Sequence, residues 1–172
     1  VLVALGAASN LSGTINDVRK IADIAHQFGA EVVVDAVHYA PHSLIDIEEM
    51  RCDYLLCSPY KFFGPHQGLL WGRAERMSKL PVAKLRVSSE IMPFRWMTGT
   101  QSHEGMAGTM AAIDHIAWIG REYSGDESLS RRNALISAYD AIEKHERALC
   151  LRMLEGLGEI EGLKIWGITD PD

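Results

Sequence analysis

Glu31-Val32-Val33-Val34-Asp35-Ala36-Val37-His38 is the stretch on which the fold turns. Three adjacent valines, β-branched and apolar, read as a strand buried in a sheet, and the carboxylate of Asp35 marks its end. A helix precedes it: Thr14 opens the helix, and Asp17 three residues on completes a variant capping box. Ile15, Val18, Ile21, Ala22, Ala25 and Phe28 then share one face, and Gly29 supplies the stop. Residues 1–5 form a short continuous apolar run, the pattern of a strand covered on both faces. Residues 54–58 read as a third strand and residues 69–71 as a fourth, with a short helix or turn at 45–50. Strand, helix, strand with short links implies a right-handed parallel unit, hence an α/β layered domain. In such sheets ligands collect beyond the carboxyl ends of the strands. That rule gathers Asn10, Asp35 and the segment after Ser58 on one rim.

Further along, residues 81–108 lack periodicity and carry scattered Pro, Gly, Ser and Thr. A helix follows over 107–123 with Ile113, Ile116 and Ala117 inward. A longer one spans 130–157, with Leu135, Ala138, Ile142, Leu149 and Met153 near one stripe. Gly162 precedes a fifth strand-like run at 163–168, which reads as entry into a second domain. The division expected is a large domain over 1–125, a connecting helix over 126–160 and the start of a small domain over 161–172. The chain opens within an apolar run and stops just after a strand-like one, so it reads as a fragment.

The 172 residues carry 17 Lys+Arg against 23 Asp+Glu, a formal charge of −6, which argues against a nucleic-acid surface. No apolar run is long enough to span a bilayer and no leader opens the chain, so neither membrane nor secretion is expected. Cys52, Cys57 and Cys150 form no C-x-x-C pair, which suits a reducing cytoplasmic setting. Asn10-Leu11-Ser12 matches a glycosylation sequon and, with no signal peptide, reads as chance.

G-x-G-x-x-G, the P-loop and G-x-S-x-G are all absent. His38 and His42 stand four apart, but no Glu flanks the first and Pro41 interrupts the helix a zinc pair needs, so no metal is expected. The loop Ser58-Pro59-Tyr60-Lys61-Phe62-Phe63-Gly64-Pro65-His66-Gln67-Gly68 is the informative segment. A lysine among aromatics, directly after a buried strand, is oddly placed for a solvated charge. Burial lowers an amine's pKa and makes it a nucleophile towards aldehydes, whereas an ordinary surface loop would turn it to water. Asp35 poses a similar choice: it caps the next turn or faces a cation. Pyridoxal 5'-phosphate requires both groups, a lysine for the Schiff base and an acid on the pyridine nitrogen.

Asp35-Ala36-Val37-His38 together with the Lys61 loop resembles the class V aminotransferase superfamily of fold-type I pyridoxal-phosphate enzymes, closest to its cysteine desulfurase-like branch. Ser9-Asn10-Leu11-Ser12-Gly13-Thr14 and Arg95-Trp96-Met97-Thr98-Gly99-Thr100-Gln101 resemble two further motifs, in the family's order. The resemblance implies a transferase-like large domain built on a mixed, mostly parallel sheet with flanking helices. It implies that Lys61 forms the Schiff base and shuttles the Cα proton, and that Asp35 pairs with the pyridinium. Asn10 would hydrogen-bond the phenolic oxygen, and Ser58 and Tyr60 would bind the phosphate. Gly99 and Thr100 would reach the phosphate of a neighbouring subunit, making a homodimer with shared sites acting on an amino acid.

His38 stands where desulfurases usually carry Gln, and Tyr60 where many carry His; both are closer to kynureninase. His38 is thus a candidate for both catalysis and cofactor contact. The resemblance covers less than half of a family chain. The upstream phosphate turn, the ring-stacking group, the carboxylate-binding arginine and the persulfide-forming cysteine lie outside it. Cys57 reads as packing, His115 and His145 as ordinary helix residues, and Trp96 as a loop anchor. His66 and His103 lie near the site loops, and Arg131-Arg132 with 143–147 read as a solvated helix face. Cβ–S cleavage is the reaction expected. An aminotransferase or epimerase, a kynureninase-type lyase and a silent dimerisation scaffold are the alternatives, and the isolated fragment is expected to be inactive.

Overall fold

The computed structural model describes residues 1–97 and 99–170. Thr98, within the motif at residues 95–101, and residues 171–172 of the expected third segment lie outside the described residues. In chain order the elements are β1 (Leu2–Gly6), α1 (Val18–Gln27), β2 (Glu31–Asp35), α2 (Ile47–Met50), β3 (Tyr54–Cys57), β4 (Leu69–Gly72), α3 (Ala74–Met77), α4 (His103–Ser124) and α5 (Arg131–Gly158). Single 3-10 turns stand at Pro59–Lys61 and Phe94–Trp96.

The sheet order is β1-β2-β3-β4, with β1, β2 and β3 parallel and β4 antiparallel to β3. Gly6 pairs with Asp35 and Asp35 with Leu56, so the three parallel strands end together. Side chains alternate across a strand, so the register defines two faces. Val32 and Val34 are wholly buried on one of them, in a core with Leu55, Cys57, Ala22, Ala25 and Ile116. The opposite face is open: Leu2 is 57%, Leu56 40% and Leu70 50% exposed. Cover on both faces, expected for residues 1–5 from the apolar run, is therefore not found among the described residues. An apolar run records what a strand packs against in its complete fold, and these residues supply only one layer.

Thr14 does not open α1. Residues 8 and 15 pair in an isolated antiparallel bridge, and the helix starts at Val18 with Asp17 as N-cap, its carboxylate accepting from Lys20 N at 3.0 Å. Ile15 and Phe28 are accordingly outside the helix, and both are exposed rather than inward. Gly29 takes the positive φ of 69° that the stop requires.

α4 begins at His103, earlier than expected, because Ser102 caps it there, its hydroxyl accepting from Gly105 N. It crosses α5 where Gly120 meets the fully buried Ala134 and Ala138. Leu149 and Met153 do not continue the buried stripe of α5; both are more than half exposed, because the helix runs on past the core. The expected strand at 163–168 does not form. Gly162 and Gly167, with φ of 78° and 130°, turn the chain, and no neighbouring strand among the described residues offers it a ladder. No helix among the described residues is long and apolar enough to cross a membrane.

At the amino end of β3 the buried Asp53 gathers donors. Val32 N donates to it at 2.8 Å, His26 Nε2 lies at 2.9 Å and Arg76 Nε at 3.4 Å. This polar knot ties α1, β2, β3 and α3 at the rim opposite the candidate site.

Candidate active site

Three strand ends build the rim. Ala7 N donates to Asp35 O and Ala36 N to Leu56 O, each at 2.8 Å, so the chain leaves β1, β2 and β3 laced together. Beyond β1 the turn at 10–12 is held by the Ser9 hydroxyl, which accepts from Leu11 N and Ser12 N at 3.2 Å and presents Asn10 exposed. Beyond β2, Asp35 accepts from Val37 N at 2.9 Å through Oδ1. The turn-capping role open to Asp35 is thus taken by one oxygen, and the register puts its side chain on the open face of the sheet, with Leu56.

Beyond β3 the loop is bound tightly. Ser58 is extended, and its carbonyl accepts from Lys61 N at 3.0 Å to close the 3-10 turn. Pro59 O then accepts from Gly64 N at 2.8 Å, where a Cβ on residue 64 would lie 2.7 Å from Pro59 Cβ. Only glycine fits that approach. Phe62 is buried beneath the turn and anchors it, while Phe63 takes a positive φ of 67°. Tyr60 stacks on His66 with centroids 5.0 Å apart, and Lys61 Nζ stands 5.6 Å from the Tyr60 ring centre.

Lys61 is exposed in this chain, so of the two readings of its loop the described residues show the one that turns the lysine to water. Its backbone is fixed by the turn, and nothing among the described residues covers its side chain. Asn10, Ser58 and Lys61 make no side-chain hydrogen bond among the described residues, so an amide, a hydroxyl and an ammonium stand uncommitted around one rim. Uncommitted donors opposite a carboxylate fit an anionic ligand with a protonated ring nitrogen. Among the described residues no group of three or more His, Cys, Asp and Glu is arranged to hold a metal.

His38 lies beside a cleft of about 210 Å³ with Ala8, Gly13, Ile15, Tyr39, His42 and Ser43. Burial holds its imidazole below the ordinary value, and the charges of His42 and Lys61 push the same way. The charge of Glu146 works against them. Gly99 and Thr100 are exposed in the loop before α4, with Gly99 O accepting from Gln101 Nε2 at 2.8 Å. Among the described residues no hydrogen bond or ring contact joins them to the rim.

Sequence reasoning missed the partners of the helices. Arg132 reaches Asp46 at 2.8 Å and Arg131 reaches Asp114 at 2.9 Å; both arginines remain exposed, so the solvated face also carries ion pairs to neighbouring elements. Glu146 binds His42 Nδ1 at 2.9 Å. Cys52 and Cys57 are buried, and burial pushes both thiols up, away from reactivity.

The family model for class-V aminotransferases matches residues 1–172. A probable cysteine desulfurase of Halalkalibacterium halodurans is 33% identical over 96% of this chain and 39% of its own length. An aminotransferase-like protein of Gibberella zeae is 32% identical over 99% of this chain, again 39% of its own length. The apo cysteine desulfurase of Thermococcus onnurineus superposes with a TM-score of 0.78 at 26% identity, over 99% of this chain and 41% of that one. The chain therefore spans about 40% of the length of the proteins it matches. Fold, motif order and similarity along the whole chain agree: it belongs to the class-V aminotransferase family.

Proposed function

We propose that these residues are the central part of a pyridoxal 5'-phosphate-dependent enzyme of the cysteine desulfurase type, acting on an amino acid. One observation carries the reading: an acid ending β2 and an amine one turn beyond β3 stand on the same rim of adjacent parallel strands. When bound, the coenzyme supplies an aldehyde that captures amines and a ring that withdraws electrons from the substrate Cα. Asp35, held by Val37 N, would keep the proton on the ring nitrogen. Ser58 and Tyr60 would donate to the phosphate, and Asn10 to the phenolic oxygen. Lys61 Nζ would bind the aldehyde carbon and, once displaced by substrate, move the proton at Cα. His38 would sit beside that lysine as a neutral imidazole.

Lys61 is exposed here, so the surface that dries it must come from the coenzyme, from chain outside these residues or from a second subunit. In a homodimer, the exposed Gly99 and Thr100 would reach the partner's phosphate. The cytoplasm is the expected setting. His38 and Tyr60, together with the aminotransferase-like relative, favour a second reading in which the same rim serves amino transfer or carbon–carbon cleavage.

In full-length protein, the visible absorbance of bound coenzyme is expected and is lost in Lys61→Ala; a colourless folded protein points to the scaffold reading. Release of sulfide from cysteine separates desulfuration from transfer to a keto acid, and no sulfide removes the desulfurase assignment.

A further inference from the structure

Two polar residues behind His38, namely His42 and Glu146, have no part in that scheme. Ala40 N donates to Ala36 O at 2.8 Å, and this single helical turn brings the rings of His38 and His42 edge to face, centroids 5.0 Å apart and planes at 61°. His42 Nδ1 lies 2.9 and 3.0 Å from the two carboxylate oxygens of Glu146, which comes from α5, 104 residues away in sequence. A carboxylate on Nδ1 places the proton there and fixes the ring's rotation. His42 can then offer only one edge to His38. The cleft shared by the two histidines runs to Gly13 and Ile15, in the segment that follows the Asn10 turn. The charge of Lys61 also acts on His38, and that of Glu146 acts in the opposite sense. The contacts from helix towards rim therefore run carboxylate, imidazole, imidazole.

We propose that Glu146 and His42 are positioning residues that set the ring orientation of His38, so that α5 holds one side of the site in register. The proposal rests on His38 being a site residue. α5 has a second tether on the same segment, Arg132 to Asp46 at 2.8 Å, which does not touch either histidine and serves as the control.

The test is nitrogen-15 spectroscopy of histidine rings in full-length apoprotein, with signals assigned by His38→Gln and His42→Gln. Glu146→Gln is expected to move the ring signals of both His42 and His38, and Arg132→Gln to move neither. In a His42→Phe background, Glu146→Gln should no longer reach His38. Glu146→Asp, which keeps the charge but shortens the reach, covers the case where Glu146→Gln fails to fold, and should move both rings. His38 signals that stay fixed while those of His42 move overturn the proposal. Equal movement in the Arg132 variant also overturns it, by making the effect one of helix docking. Because the reading is taken without coenzyme, it can fail while Lys61 still binds coenzyme, and it can hold where Lys61 does not.

Discussion

Replacing Gly120 with alanine should destabilise the fold, against the usual direction for a helix. Alanine in place of glycine inside a helix ordinarily gains about 1 kcal/mol. Here a Cβ would lie 2.8 Å from both Ala134 C and Ala138 N, and closer still to the Ala134 carbonyl oxygen. These obstacles are backbone, which cannot swing aside as a side chain can. α4 and α5 must part by on the order of 1 Å, and overpacking of this kind costs about 1–3 kcal/mol, with the upper end fitting a backbone clash. Separation also stretches the bond from the Ser137 hydroxyl to Gly120 O, 3.0 Å long and worth about 1 kcal/mol. The net expectation is a loss of about 2–3 kcal/mol. Urea unfolding of the full-length protein, followed by helical ellipticity, measures it. Gly156 on α5 is the control, since a Cβ there meets nothing within 4 Å. Gly156→Ala should stabilise by up to about 1 kcal/mol. A Gly120→Ala protein as stable as wild type, or more so, refutes the packing described.

Gly64→Ala should disturb the turn that carries Lys61, because its Cβ would meet Pro59 Cβ at 2.7 Å and Pro59 O at 2.9 Å. Coenzyme titration should show at least a tenfold weaker dissociation constant, about 1.4 kcal/mol, with ellipticity unchanged; unaltered affinity contradicts the turn's role. Asp53 tests the opposite rim: burial disfavours its charge, yet the bonds from His26 and Val32 N and the charges of His26 and Arg76 outweigh it and hold the carboxyl low. A folded-state value below the unfolded one gives stability that is present at neutral pH and lost as pH falls below about 4 through the folded value. Asp53→Asn should therefore cost about 2–3 kcal/mol at pH 7 and flatten the acid limb of stability against pH, and an unchanged acid limb counts against the knot. Burial pushes the Tyr139 phenol up to about 12, and its hydroxyl donates to Ala40 O at 2.7 Å. Tyr139→Phe should remove one late tyrosinate step from the ultraviolet titration and cost about 1 kcal/mol; a lost step near pH 10 contradicts the burial.

Residues that act locally were legible in the sequence. The valines of β2 and the glycine stop of α1 sit where pattern reading puts them, because burial by two and helical arrest at positive φ are properties of a few adjacent residues. What failed was non-local. Thr14 and Asp17 are both acceptable caps, and only the bridge between residues 8 and 15 decides for Asp17. The stripe on α5 continues in sequence to Met153, but the core beneath it does not. The pairing of Glu146 with His42 leaves no local signal, because a charged residue on a long helix looks like a solvated one. The strand-like run at 163–168 has the composition of a strand and no partner among the described residues. At the site, chemistry was readable from Asp35 and Lys61 as a pair, while the exposure of Lys61 depends on what covers it.

The central claim is that the amine of residue 61 captures the coenzyme's aldehyde. Full-length protein should be loaded with pyridoxal 5'-phosphate, reduced with borohydride, digested and mapped by mass spectrometry. The account predicts a phosphopyridoxyl group fixed on Lys61 and absent from Asp35→Ala protein loaded at limiting coenzyme. A stable adduct on another lysine, with Lys61 unmodified, contradicts it.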